Sequence, residues 1–210
     1  LEHIVNSLNG LVDGVVIVTN QHYINNFLGW MDSYRHKDLG IDDCVVILSD
    51  GRENNDERLG SIGDLGYAVE TCDLREPFFV IGSDNLFDFD LGRMVEMYNK
   101  KLSSVIALYD VKDIKVASRM GVPEVRQGVV MGLNEKPRSP KSTLVSCLIY
   151  LIAQYDISFI KKAVKSGRAD SGGDFIDYLA RSSLVYSVIY NGKWFDIGNE
   201  KELARARRAF

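Results

Sequence analysis

The sequence predicts an α/β protein: a doubly wound sheet, mixed but mostly parallel, with a small β-rich portion. Three observations lead there. β-branched apolar runs alternate with segments of helical period through the first half of the chain. Beyond Lys115 the rhythm breaks into shorter strands with turn residues between them. The length, 210 residues, suits one full core.

Each element follows from its own pattern. Ile4, Val5, Leu8 and Leu11 recur at helical spacing, and Gly14 precedes Val15-Val16-Ile17-Val18-Thr19, a run typical of a buried parallel strand. Ile24, Phe27, Leu28 and Met31 mark a second helix, followed by the strand Cys44-Val45-Val46-Ile47-Leu48. The polar loop Ser49 to Arg58 reads as a mobile edge. A helix is expected between Ile62 and Thr71, a strand over Phe78 to Gly82, a helix over Leu91 to Lys101 and a strand over Val105 to Tyr109. In the second half, Val116-Ala117-Ser118, Gly121 to Arg126 and Val129 to Leu133 read as short strands, the last two turned at Arg126-Gln127-Gly128. Leu144 to Ala153 is a longer strand, Ile157 to Lys165 and Asp174 to Ser182 are helical, Leu184 to Tyr190 is a strand, and Glu200 to Ala209 closes the chain as a helix.

Composition narrows the function. Hydrophobic residues are 46% and charged residues 26%, ordinary for a soluble globular protein. A net charge of −4 offers no broad basic surface, which argues against nucleic acid as a main partner. Anionic substrates would have to be held locally, by a metal and a few placed cations. Cys44, Cys72 and Cys147 lie in or beside apolar runs without metal-ligand spacing, so they read as reduced residues and not as a zinc site. The apolar run Leu144 to Ala153 is too short to cross a bilayer, and Glu2 and His3 stand in an amphipathic pattern with no leader-like character. A cytoplasmic protein with no membrane partner is expected.

Two aspartates carry the chemistry. Asp84 follows the apolar run Pro77 to Gly82, and Asp196 sits in Gly192-Lys193-Trp194-Phe195-Asp196-Ile197-Gly198-Asn199. In an open parallel sheet ligands bind outside the carboxyl ends of the strands, so a carboxylate just past a strand projects into that crevice. Two such carboxylates can share a hard divalent cation that keeps water positions for phosphates to fill. Asp84 also suits the start of a turn that caps the helix near Phe89. Glycines at 60, 63 and 66 let backbone approach a planar ligand or, equally, let a helix pack closely on its neighbours. In Asn134-Glu135-Lys136-Pro137, the proline ends a strand and is expected to hold Lys136 extended, presenting the glutamate to hydroxyls and the lysine to a phosphate. His3, His22 and His36 show no sign of a triad.

These segments in order resemble the sugar-1-phosphate nucleotidyltransferases, with glucose-1-phosphate thymidylyltransferases among them. The matching pieces are Ile17-Val18-Thr19-Asn20, Leu59-Gly60-Ser61-Ile62-Gly63, Val80-Ile81-Gly82-Ser83-Asp84-Asn85, Gly121-Val122, Glu135-Lys136-Pro137, Ser142 to Tyr150 and Gly192 to Gly198. The resemblance implies a Rossmann-like fold in one domain over residues 1–210, with 1–114 as nucleotide-binding portion and 115–210 as sugar-binding portion and closing helix. It implies Asp84 and Asp196 as ligands of a catalytic Mg²⁺, with Lys136 as the third catalytic residue, reaching the phosphate of the sugar substrate. Gly60, Ser61 and Gly63 would help seat the base, Glu135 would bind sugar hydroxyls, Gly121 would offer a backbone contact beside the sugar, and Trp194 would pack behind Asp196. The implied partners are a nucleoside triphosphate and a sugar 1-phosphate, with a homo-oligomer compatible.

The sequence also departs from that family. It opens at Leu1-Glu2-His3-Ile4-Val5, which resembles the family's first helix, so the Gly-rich loop with its arginine and lysine has no counterpart. The gap amounts to one strand-plus-loop unit of about 25 residues. Residues 1–210 are therefore read as N-terminally incomplete and expected to turn over poorly. Leu148 stands where the family has glycine beside the sugar, and Met120 precedes Gly121 where an aromatic is common. Three alternatives accompany this reading: a non-catalytic relative of the same fold, a glycosyltransferase, and a cytidylyltransferase acting on choline phosphate.

Overall fold

The computed structural model describes residues 1–35, 45–53, 59–167 and 170–210. The readings of His36, Cys44 and Arg58, and of the polar loop over residues 54–58, lie outside those residues. In chain order the elements are α1 (Glu2–Ser7), β1 (Val15–Thr19), α2 (Ile24–Arg35), β2 (Val45–Ser49), α3 (Gly60–Thr71), β3 (Phe78–Ile81), β4 (Asn85–Phe87), α4 (Gly92–Lys101) and β5 (Ser104–Asp110). They continue with α5 (Ile114–Ala117), β6 (Gly121–Arg126), β7 (Val129–Glu135), β8 (Leu144–Ile152), α6 (Ile157–Ser166), α7 (Gly172–Ala180), β9 (Val185–Tyr190), β10 (Trp194–Asp196) and α8 (Glu200–Ala209).

The main sheet runs β3-β8-β5-β9-β7-β6. β3, β5, β9 and β6 share one direction, while β8 and β7 run against them. β1 and β2 form a separate parallel pair, in register from Val15↔Val45 to Thr19↔Ser49. This is the doubly wound, mixed α/β architecture that the alternating pattern predicts, with the β6–β7 hairpin as its β-rich extension. Strands from both halves of the chain interleave in the main sheet, because β8 and β9 flank β5.

β5 is the centre of the molecule. Val105, Ile106, Ala107 and Leu108 are each 0% exposed, and they face alternately. Val105 and Ala107 join Ile4, Val5, Phe87 and Met94 on one face, whereas Ile106 and Leu108 join Ile160, Phe175, Ile176 and Leu179 on the other. Burying each such aliphatic side chain contributes about 1.5–3 kcal/mol. That two-sided core holds the carboxyl ends of β3, β5 and β9 on a common edge, where the site is built.

Two local readings are corrected. Residues 116–118 read as strand from β-branched content, yet Ile114–Ala117 is a short helix and Ser118 its cap. Asp113 accepts from the Lys115 amide at 2.8 Å, and that cap sets the first turn against the weak strand propensity of a few side chains. The second concerns Asn85–Phe87 and Trp194–Asp196, which pair as an antiparallel ribbon that no periodic pattern announces. The hairpin turn between Arg126 and Val129 forms as expected. Gln127 and Gly128 both have positive φ, 51° and 80°, as the primed turns that match strand twist require.

Candidate active site

The ribbon brings two distant carboxylates together. β4 and β10 pair with Asp196 opposite Asn85, and the Ile197 amide donates to the Asp84 carbonyl at 2.8 Å. Asn85, only 6% exposed, locks this register from beneath. Its amide group donates to the Gly82 carbonyl at 3.0 Å, and its oxygen accepts from the Trp194 indole at 2.7 Å. Trp194 in turn packs on the core and lies 5.5 Å from the Tyr109 ring, as expected of a residue behind Asp196. His3 faces the rings of Phe87 and Phe210 and hydrogen-bonds the Phe87 carbonyl, which ties the first helix to the same ribbon.

The two carboxyls act on one another electrostatically. The Asp196 carboxyl is pushed up by the protein atoms crowding it and then by the Asp84 charge and a hydrogen bond to Asp84, with Glu202 adding to the effect. Both residues keep open surface toward solvent, so the crowding is around the carboxyl oxygens and not over the whole side chain. The cation acting on Asp196 is Lys136, which pulls the other way. Two carboxylates with all-oxygen donors and one weak counter-charge fit a hard divalent ion such as Mg²⁺. Among the described residues, no group of three or more His, Cys, Asp or Glu side chains could hold a metal ion.

Lys136 departs from its expected backbone. Its φ is +45°, in the left-handed region, although a residue before proline ordinarily stays extended. The Lys136 amide donates to the Met120 carbonyl at 3.0 Å, and that bond fixes the turn at the end of β7. The ammonium charge acts on both Glu135 and Asp196 from there.

Glu135 marks a second pole. It pairs in register with Gly121, and its carboxylate rests against the backbones of Gly121 and Gly173. A β-carbon on Gly121 would come within 3.0 Å of Glu135 Oε2 and of Leu133 Cδ2, and one on Gly173 would collide with the same carboxylate oxygen. Burial pushes the Glu135 carboxyl up, Lys136 opposes this, and Asp174 adds to it. Asp174 is anchored by Ser171 in a capping box at the start of α7. Neither Gly173 nor Asp174 is visible as a site residue from sequence, since a glycine pair before a helix has many uses.

Gly60, Ser61 and Gly63 make different contacts. They form the first turn of α3, where Gly60 has φ +75° and a β-carbon would lie 2.5 Å from Asp170 Oδ1. The Ser61 hydroxyl donates to the Asp170 carbonyl at 3.2 Å, and a β-carbon on Gly63 would meet Leu59. Gly66 gives room to Val164 of α6, the packing role that glycines at this spacing also allow. One acid missed at the sequence level stands nearby in the chain. Asp64 on α3 is pushed up by burial and by Asp50, and among the described residues its buried Oδ1 has no hydrogen-bond partner.

The family model described as "Nucleotidyl transferase" matches residues 2–210. The chain is 29% identical to a glucose-1-phosphate adenylyltransferase of Thermomicrobium roseum, over 100% of this chain and 50% of the relative. It is 27% identical to a bifunctional GlmU protein of Methanococcus aeolicus, over 98% of this chain and 45% of the relative. The chain thus spans half or less of these curated relatives. Among solved structures, a Bacillus anthracis protein described as a glucose-1-phosphate thymidylyltransferase, in complex with a sucrose, superposes with TM-score 0.78 at 22% identity, covering 99% of this chain and 80% of that one.

Proposed function

The chain belongs to the nucleotidyl transferase family, and from that premise we propose that it transfers a nucleotidyl group from a nucleoside triphosphate to a sugar 1-phosphate, releasing pyrophosphate. One observation carries the reading: the β4–β10 register that sets Asp196 beside Asp84 at the carboxyl edge of the sheet.

The residues divide the work. Asp84 and Asp196 would hold Mg²⁺, which when bound supplies a Lewis acid and a template for the triphosphate. Lys136 is placed to neutralise the phosphate of the incoming sugar, and Glu135 accepts from its hydroxyls, so the acceptor is aimed at the α-phosphorus. The Gly121 and Gly173 backbones make room for the Glu135 carboxylate and for Leu133. The first turn of α3, with Gly60, Ser61 and Gly63, is the proposed seat of the base. Two anions must meet in line for transfer, so positioning and charge neutralisation contribute most of the rate. No nucleophilic side chain is required.

A cytoplasmic location fits substrates of this kind. Among the described residues, no helix is long and apolar enough to cross a membrane.

The test is a pyrophosphate-release screen with Mg²⁺, crossing the common triphosphates with several sugar 1-phosphates. Release that disappears in Asp84→Asn and on chelation supports the proposal. Full release by Asp84→Asn removes the metal assignment, and no release with any pair of substrates removes the proposed reaction.

A further inference from the structure

Leu148 occupies an unusual position between the two poles of the site. It lies where β5 and β8 lose register, between the pairs Leu108↔Ser146 and Ile106↔Tyr150, on the strand that carries the extra residues. Its φ is +53°, a left-handed conformation in which a branched side chain crowds its own backbone and which glycine adopts freely. The strain is held in place from both sides. The Leu148 carbonyl accepts from the Gly82 amide at 3.0 Å.

The isobutyl group reaches two glycines. A β-carbon on Gly82 would lie 2.6 Å from Leu148 Cδ2 and 2.9 Å from Asp84 Oδ1, so one methyl sits beside the Asp84 carboxylate. A β-carbon on Gly172 would collide with Leu148 Cδ1, so the other methyl touches the start of α7. The next residue, Gly173, bears the Glu135 carboxylate. Leu148 thus touches the glycine next to Glu135's support on one side and the glycine that neighbours Asp84 on the other. Any side chain at 82 or 172 would displace this leucine, so the three positions fit one another.

We propose that Leu148 is a specificity-determining residue that limits the size of the acceptor: it admits a compact hexose 1-phosphate and rejects one that carries a bulky N-acyl substituent on the ring. The inference rests on the acceptor-site reading of Glu135 above. A strained backbone is retained at functional positions where the surrounding structure over-determines it. An apolar wall of this size discriminates by about 10–200-fold.

The experiment compares the full-length protein with Leu148→Gly and Leu148→Ala. Calorimetric binding of glucose 1-phosphate and of its 2-acetamido counterpart is measured first, then turnover with each, then Tm. The expected result is a preference for the unsubstituted sugar that falls about tenfold or more in both variants, through the KM of the acetamido sugar. Leu148→Gly should also melt above Leu148→Ala, because only glycine relieves the left-handed strain. An unchanged binding ratio in both variants overturns the proposal, as does failure of all three proteins to bind either sugar phosphate. A ratio that shifts in binding while no protein transfers a nucleotidyl group upholds the wall and overturns the proposed reaction. Turnover abolished by Asp84→Asn, together with an unchanged ratio, does the reverse.

Discussion

Asp196 and Asp110 stand at the same edge of the molecule in opposite electrostatic settings. Asp110 ends β5 and is satisfied from three directions: the Thr143 hydroxyl donates to it at 2.6 Å, the Lys112 amide at 3.0 Å, and the Lys112 ammonium lies 3.0 Å away. Its carboxyl is held down at about 2, first by the Thr143 hydrogen bond and then by Lys112. Asp196 ends β10, faces another carboxylate, and is pushed up. The difference separates scaffold from site. An acid whose lone pairs are taken stabilises the fold, whereas an acid facing its own kind is disfavoured in its charged form, an effect that Lys136 only offsets at Asp196.

The sharpest test exchanges each acid for its neutral isostere. Asp196→Asn is expected to lower pyrophosphate release by about 10³-fold while leaving Tm unchanged or raised in metal-free buffer, because it removes a like-charge contact. Asp110→Asn is expected to keep turnover within a factor of about two and to lower Tm slightly. Steady-state assays and thermal melts on both variants check this. A marked fall in Tm for Asp196→Asn would mean that the pair stabilises the fold, and the contrast would collapse.

The same contrast explains what could be read in advance. Asp84 was legible as a candidate because it follows a recognisable apolar run, and Asp196 from its segment Gly192 to Asn199, since the sheet's carboxyl edge gathers such residues. Their 112-residue separation (196 − 84) hid the ribbon that joins them, since three-residue strands show no period. Glu135 was legible from the strand end and proline, but the backbone of Lys136 was not. A tertiary hydrogen bond to Met120 outweighs the pre-proline preference there, and sequence rules cannot weigh a partner they do not know. The strand reading of residues 116–118 failed for a related reason, a local cap at Asp113 overriding β-branched content. At Leu148 the sequence offered only a mismatch with a family pattern. The positive φ and the two glycines that receive its methyls are properties of the assembled strands.

A smaller effect is expected at Asn85, which holds the ribbon but touches no substrate. Asn85→Ala leaves the part-buried Trp194 indole N–H without its partner, while the Gly82 carbonyl keeps the backbone amide of residue 85 at 3.2 Å. Losing one such partner costs about 1–3 kcal/mol, which for a domain of this size lowers Tm by several degrees. Turnover should fall further than stability, since the register that sets Asp196 beside Asp84 loosens. Melts and kinetics below the variant's Tm separate the two. If stability falls while turnover is retained, the carboxylates do not depend on this clamp.

The weakest effect, and the one that isolates Asp110, is a pH dependence. Its carboxyl drops from the ordinary 3.8 to about 2 in the folded protein. A depressed acid contributes stability that is complete above the unfolded value and is lost as pH falls through the folded one. The Tm gap between the parent protein and Asp110→Asn should therefore be constant near neutrality and close between about pH 4 and pH 2. Other carboxylates titrate in both proteins and cancel in the difference. Asp110 is solvent-facing, so added salt should shrink its ion-pair part, while the shorter Thr143 hydrogen bond persists. A Tm gap that stays constant down to pH 2 would show that Thr143 and Lys112 do not hold this carboxylate, and the distinction between a satisfied and an unsatisfied acid would lose its reference.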